Sequence, residues 1–134
     1  MEQLEQAGID QAVFDTLIQE VHKIGEEVIR PNAADVDSKA RFPREAIDAI
    51  KKLGLMGAYI PKELGGMGLN ISQLAKICET LGQYCGSTGM IFAMHQIQVA
   101  CALHHGISSE HFQNYLKQVV TEQRLLASAT TEMG

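Results

Sequence analysis

The sequence predicts an all-α fold: an up-and-down bundle of about five to six helices ending in a short extended tail. Three observations predict it. Apolar residues recur at helical spacing through most of the chain. Helix-starting and helix-stopping residues stand at the ends of those runs. The last stretch, near the C-terminus, lacks helical periodicity and could be a strand, but a lone strand has no partner. With 134 residues the chain suits one domain with a real core. Aromatics are 5% and Trp is absent, so that core is aliphatic.

The first helix is marked by Val13, Phe14, Leu17, Ile18, Val21, Ile24 and Val28. Asp10 is its expected N-cap. Pro31 is expected to end it, because proline disfavours the helical conformation at Arg30. Asn32 to Phe42 is polar and reads as a loop. Pro43 suits the first turn of the next helix, whose buried stripe is Ala46, Ile47, Ile50 and Leu53. Gly54 is placed for a left-handed C-terminal cap. Leu55 to Asn70 carries apolar residues among its glycines, so it reads as an ordered loop. Ser72 is the expected cap of a helix that buries Leu74, Ile77, Cys78 and Leu81. Gly86 breaks the pattern. A further helix spans about Thr88 to His104 and is apolar around most of its circumference. Ser108 or Ser109 can cap a last helix carrying Phe112, Tyr115, Leu116 and Val119. Leu125 to Thr131 reads as a strand.

The formal net charge is −5, which argues against a nucleic-acid footprint. Thr80 to Ser109 holds no Asp, Glu, Lys or Arg, yet its three His and four Gly fit a buried bundle helix better than a membrane span. The N-terminus lacks the basic and apolar regions of a signal peptide. Cys78, Cys85 and Cys101 show no CxxC spacing and read as reduced, small core residues of a cytoplasmic protein.

Few residues invite chemistry. Gly65-Gly66-Met67-Gly68 could cradle a phosphate, but a cradle follows a strand and opens a helix, so turns and close packing fit better here. His104, His105 and His111 have no ligands at matching spacing, and no metal site is expected. His95 sits in the middle of the uncharged helix. It is either a hydrogen-bonded core residue or, with Ile91 and Val99 on the same face, one wall of a ligand cavity.

The order of motifs goes further. Leu53-Gly54-Leu55-Met56-Gly57, then Ile60-Pro61 and Gly65-Gly66-Met67-Gly68-Leu69, resembles the N-terminal domain of the acyl-CoA dehydrogenases. Cys78-Glu79-Thr80-Leu81, Ser87-Thr88-Gly89, Gly106 with Tyr115-Leu116, and Ala129-Thr130-Thr131-Glu132 follow in the family's order. The resemblance covers about Ala46 to Gly134. It implies a helical domain over residues 1–120, followed at 121–134 by a linker and the first strand of a middle β-domain. It also implies a C-terminal helical bundle and FAD held between those last two parts. By this resemblance a glutamate in that bundle would remove the α-proton of an acyl-CoA thioester, so no residue of this chain is expected to be catalytic.

By the same resemblance Thr130 and Thr131 contact the flavin, with Ser128 beside it at a position that is often aromatic. Ile91, His95 and Val99 match positions lining the acyl pocket in some members, and a histidine there suits a short, branched or aromatic acyl group. An electron-accepting protein or oxygen, and a homo-oligomer, are the implied partners. Met133 in place of the family's proline, together with the His95-Gln96 pair, keeps open a same-fold flavin monooxygenase or nitroalkane-oxidase-like enzyme. A stand-alone helical binding module is the reading from another class. The helical domain alone is expected to be inactive and to associate through exposed apolar faces.

Overall fold

The structure is a computed structural model and describes residues 6–128. Among the described residues there are six α-helices, two short 3-10 turns, one π turn and no strand.

Helix α1 (Gln11–Ile24) starts where expected: the Asp10 carboxylate accepts from the backbone N–H groups of Ala12 and Val13. It does not stop at Pro31. A π turn over Gly25–Ile29 joins it to α2 (Arg30–Ser38), which makes one long rod. Pro31 stands in the first turn of α2, and the N–H of Arg30 reaches back five residues to the Gly25 carbonyl. The extra residue in the turn makes room for the proline ring against the preceding carbonyls, the clash that would otherwise break the helix. It also shifts the buried stripe. Ile29 and Val36 face the core, Val28 is half-buried, and Val13 is 58% exposed rather than inside. Most of the expected Asn32 to Phe42 loop is therefore helix.

The Tyr84 ring fills the gap over Gly25, where a Cβ would stand 2.3 Å from it. Its hydroxyl lies 2.8 Å from His22 Nδ1, and Arg30 sits over its face at 5.0 Å.

Helix α3 (Arg44–Lys52) buries Ala46, Ile47, Ala49 and Ile50 and ends at Gly54 with φ 73°. Pro43 caps it one residue earlier than expected. Helix α4 (Ile71–Tyr84) is capped by Asn70 and not by Ser72. The Asn70 side chain accepts from Gln73 N–H, and the Gln73 side chain returns to Asn70 N–H, a reciprocal capping box. Helix α5 (Gly86–Gly106) pairs most extensively with α4. Helix α6 (Glu110–Glu122) returns along the bundle. Ser109 takes the cap position of α6 without bonding through its side chain. Cys85 is buried and Cys78 half-buried, but Cys101 is exposed, contrary to its reading as a core residue. The buried arc of α5 runs through Phe92, His95, Gln96, Val99 and Leu103, and Cys101 falls on the other side with Met94 and Ile97.

The connection from Leu55 to Leu69 threads the core. Leu55, Met56, Ala58, Ile60 and Leu69 expose none of their surface. Two 3-10 turns, Leu55–Gly57 and Lys62–Leu64, shape it. Beyond α6, Arg124 to Ser128 has no regular structure. The remainder of the expected strand, Ala129 to Thr131, lies outside the described residues.

Candidate functional site

A buried loop creates a chemical problem, because its backbone donors and acceptors have lost water and need partners. In the glycine run the loop solves this internally. Gly66 N–H donates to Pro61 O, Met67 to Gly57 O, Gly68 to Ile60 O and Leu69 to Ala58 O, at 2.9–3.1 Å. Gly66 packs so closely on Ile60 that a Cβ would stand 2.0 Å from its carbonyl oxygen. A phosphate cradle needs free N–H groups converging on one point. Here these are spent inside the loop, which is a packing device.

At Leu55 and Met56 the partners come from the helices. Gln96 Nε2 donates to Leu55 O at 2.9 Å. Met56 N–H donates to Gln123 Oε1 at 3.1 Å. The His95 ring lies 2.8 Å from Met56 O through Nε2, and Leu126 N–H donates to His95 Nδ1 at 3.0 Å. These partners dictate the tautomer. A carbonyl can only accept, so Nε2 carries the proton. A backbone N–H can only donate, so Nδ1 keeps its lone pair. Burial pushes the His95 pKa below the ordinary histidine value; the bond to Met56 opposes the shift and the charge of Lys51 reinforces it. The imidazole is therefore a neutral bridge, and its surface is fully buried.

The three residues expected on the pocket wall thus separate. Val99 and His95 are fully buried. Ile91 is half-buried and lines an open concavity of about 540 Å³ with Ser87, Phe42, Pro43 and Arg41. The Arg41 guanidinium there is already held by Asp35 and Glu45. A second concavity, about 470 Å³, lies between α5, α6 and the exit segment, lined by Gln98, Cys101, His105, His111, Tyr115 and Leu126 among others. Among the described residues no three His, Cys, Asp or Glu side chains gather as metal ligands, and no helix is long and apolar enough to cross a membrane. Burial raises the pKa of the Cys78 thiol, which makes it a poor nucleophile.

Of the three expected flavin contacts, Thr130 and Thr131 lie outside the described residues. Ser128 lies within them, and its hydroxyl is buried with no hydrogen-bond partner among the described residues. A buried, unpaired hydroxyl at the end of the exit segment fits a position beside a polar ligand.

Gln123 was missed by the sequence reading. It ends α6 in the left-handed conformation, φ 49°, with its side chain turned into the loop. The polar pair His95-Gln96, in a helix otherwise apolar on its buried side, was the available signal for such a clamp.

Residues 14–123 match the family model described as the acyl-CoA dehydrogenase N-terminal domain. The chain is 31% identical over 114 residues to a short-chain-specific acyl-CoA dehydrogenase of Clostridium acetobutylicum, covering 85% of this chain and 30% of that protein. It is 35% identical over 113 residues to a cyclohex-1-ene-1-carbonyl-CoA dehydrogenase of Geobacter metallireducens, covering 84% of this chain and 30% of that protein. The chain therefore spans about 30% of the length of the curated relatives it matches.

Proposed function

The chain belongs to the acyl-CoA dehydrogenase family as its N-terminal domain, and from that premise we propose that the protein carrying it is an FAD-dependent oxidoreductase that desaturates an acyl-CoA thioester between Cα and Cβ. The observation that supports this most is the single family match running from α1 to the end of α6. Flavin, when bound, supplies the hydride-accepting step.

This chain's own residues hold and shape. Ser128, Thr130 and Thr131 are proposed to meet the flavin edge, and the unpaired Ser128 hydroxyl fits that setting. Ile91 offers the accessible part of the proposed acyl wall, with Val99 and His95 backing it from inside the bundle. None of these groups is proposed as the base that removes the α-proton. The activities named for these two relatives favour a short or cyclic acyl group. We place the protein in the cytoplasm as a homo-oligomer, passing electrons to an acceptor protein.

His95 no longer argues for an oxygenase, because Met56 O and Leu126 N–H account for both of its ring nitrogens; Gln96 spends its amide N–H on Leu55 O and leaves its oxygen without a partner among the described residues. The test is direct. Purified at the length of its relatives, the protein should be yellow, its flavin should bleach anaerobically with a short acyl-CoA, and an artificial acceptor should restore turnover. Protein without bound flavin would sink the proposal. Oxygen uptake with a hydroxylated product would move it to the monooxygenase branch.

A further inference from the structure

We propose that His95 is a positioning residue: acting through the backbone of Leu126, it sets the path along which the chain leaves the helical bundle toward the flavin. The proposal rests on the reading of Thr130 and Thr131 as flavin contacts.

Three anchors fix the exit in succession. At the end of α6, Gln123 takes a positive φ of 49°, which a non-glycine residue holds only against a cost. Its side chain secures that turn twice, accepting from Met56 N–H and donating to Val120 O at 2.7 Å. Arg124 N–H then donates to Val119 O at 3.2 Å. Leu126 N–H donates to His95 Nδ1, and Leu125 and Leu126 pack against the core. Leu126 stands four residues before Thr130. A turn of the chain at Leu126 would therefore be carried toward Thr130 and Thr131, the proposed flavin contacts.

His95 is suited to this because its other nitrogen is tied to Met56 O, in the same loop that holds Gln123. The buried loop, α5 and the exit segment share one rigid node. His95 reaches no substrate from there, so any effect on the cofactor passes through the chain.

The test has two arms. In the isotopically labelled 134-residue chain, NMR should show scalar coupling across the hydrogen bond from Leu126 N–H to His95 Nδ1, with the ring protonated at Nε2. A ring protonated at Nδ1, or no coupling, overturns the proposal without any variant. The second arm uses the flavin-loaded protein. In His95→Asn an amide oxygen stands near the place of Nδ1 and keeps the Leu126 bond. In His95→Gln an amide nitrogen stands near the place of Nε2 and keeps only the Met56 bond. Gln should weaken flavin binding about tenfold and change the flavin absorption envelope, whereas Asn should stay near the parent. Gln123→Ala should resemble Gln. A packing role alone predicts the reverse order, since Asn is the smaller side chain, and that order or equal losses would overturn the positioning role. Parent protein that binds no flavin would defeat the functional reading and with it the link to the cofactor, while the coupling would still report the node.

Discussion

The His95 imidazole shows how much one side chain's meaning depends on partners far along the chain. From the sequence it was either a core residue or a cavity wall. Its partners lie 39 and 31 residues away, so no local pattern could decide. The linkage follows from its state. The folded pKa lies below the ordinary value of about 6.5. Below that value the unfolded chain binds a proton that the folded chain resists. Stability should thus be complete above about pH 6.5 and fall as pH drops toward the lower folded pKa. Urea midpoints at pH 8 and pH 5 would show this, and His95→Gln should flatten the difference. A pH dependence unchanged by that variant would assign it elsewhere. Gln123→Ala should cost about 1–3 kcal/mol in chemical denaturation, because it strands the buried N–H of Met56.

Where elements meet, two glycines one helix apart should respond oppositely to the same substitution. A Cβ on Gly89 would stand 2.9 Å from the Gly82 Cα, so Gly89→Ala must push α5 off α4. The expected loss is about 1–3 kcal/mol. Gly82 has nothing within 4 Å of its own Cβ direction. Gly82→Ala should therefore gain up to about 1 kcal/mol from helix propensity alone. Paired thermal melts would check both signs. The elements read correctly from sequence were those decided locally: the Asp10 cap, the stripe of α3 and the Gly54 stop. The α1–α2 rod was misread because the rule about proline assumes an unbroken four-residue ladder, and the π turn removes that assumption. Ser72 was read as the cap and Asn70 as the end of the loop, yet Asn70 and Gln73 carry the reciprocal cap, which should make Asn70→Ala cost about 1 kcal/mol.

For the molecule as a whole, the sequence revealed the helical class and the family's order of motifs. It could not show which residues face outward, because α5 is apolar nearly all round. Met90, Met94 and Ile97 line an exposed side of that helix at 63%, 37% and 50% exposure. Such a stripe should drive self-association of the chain. Light scattering should show mass rising with concentration, and Ile97→Lys should suppress the rise while shifting stability by no more than about 0.5 kcal/mol. A monomer at all concentrations would refute this. The loop from Leu55 to Leu69 has a different lesson for anyone who wants to cut or graft this domain. Its glycines and proline resemble a splice point, yet α5 and α6 reach its backbone only in the assembled bundle. Proteases should spare it, and a tag inserted there should abolish expression. The permissive joint is Lys39 and Ala40, exposed between α2 and α3 and carrying no part of the core.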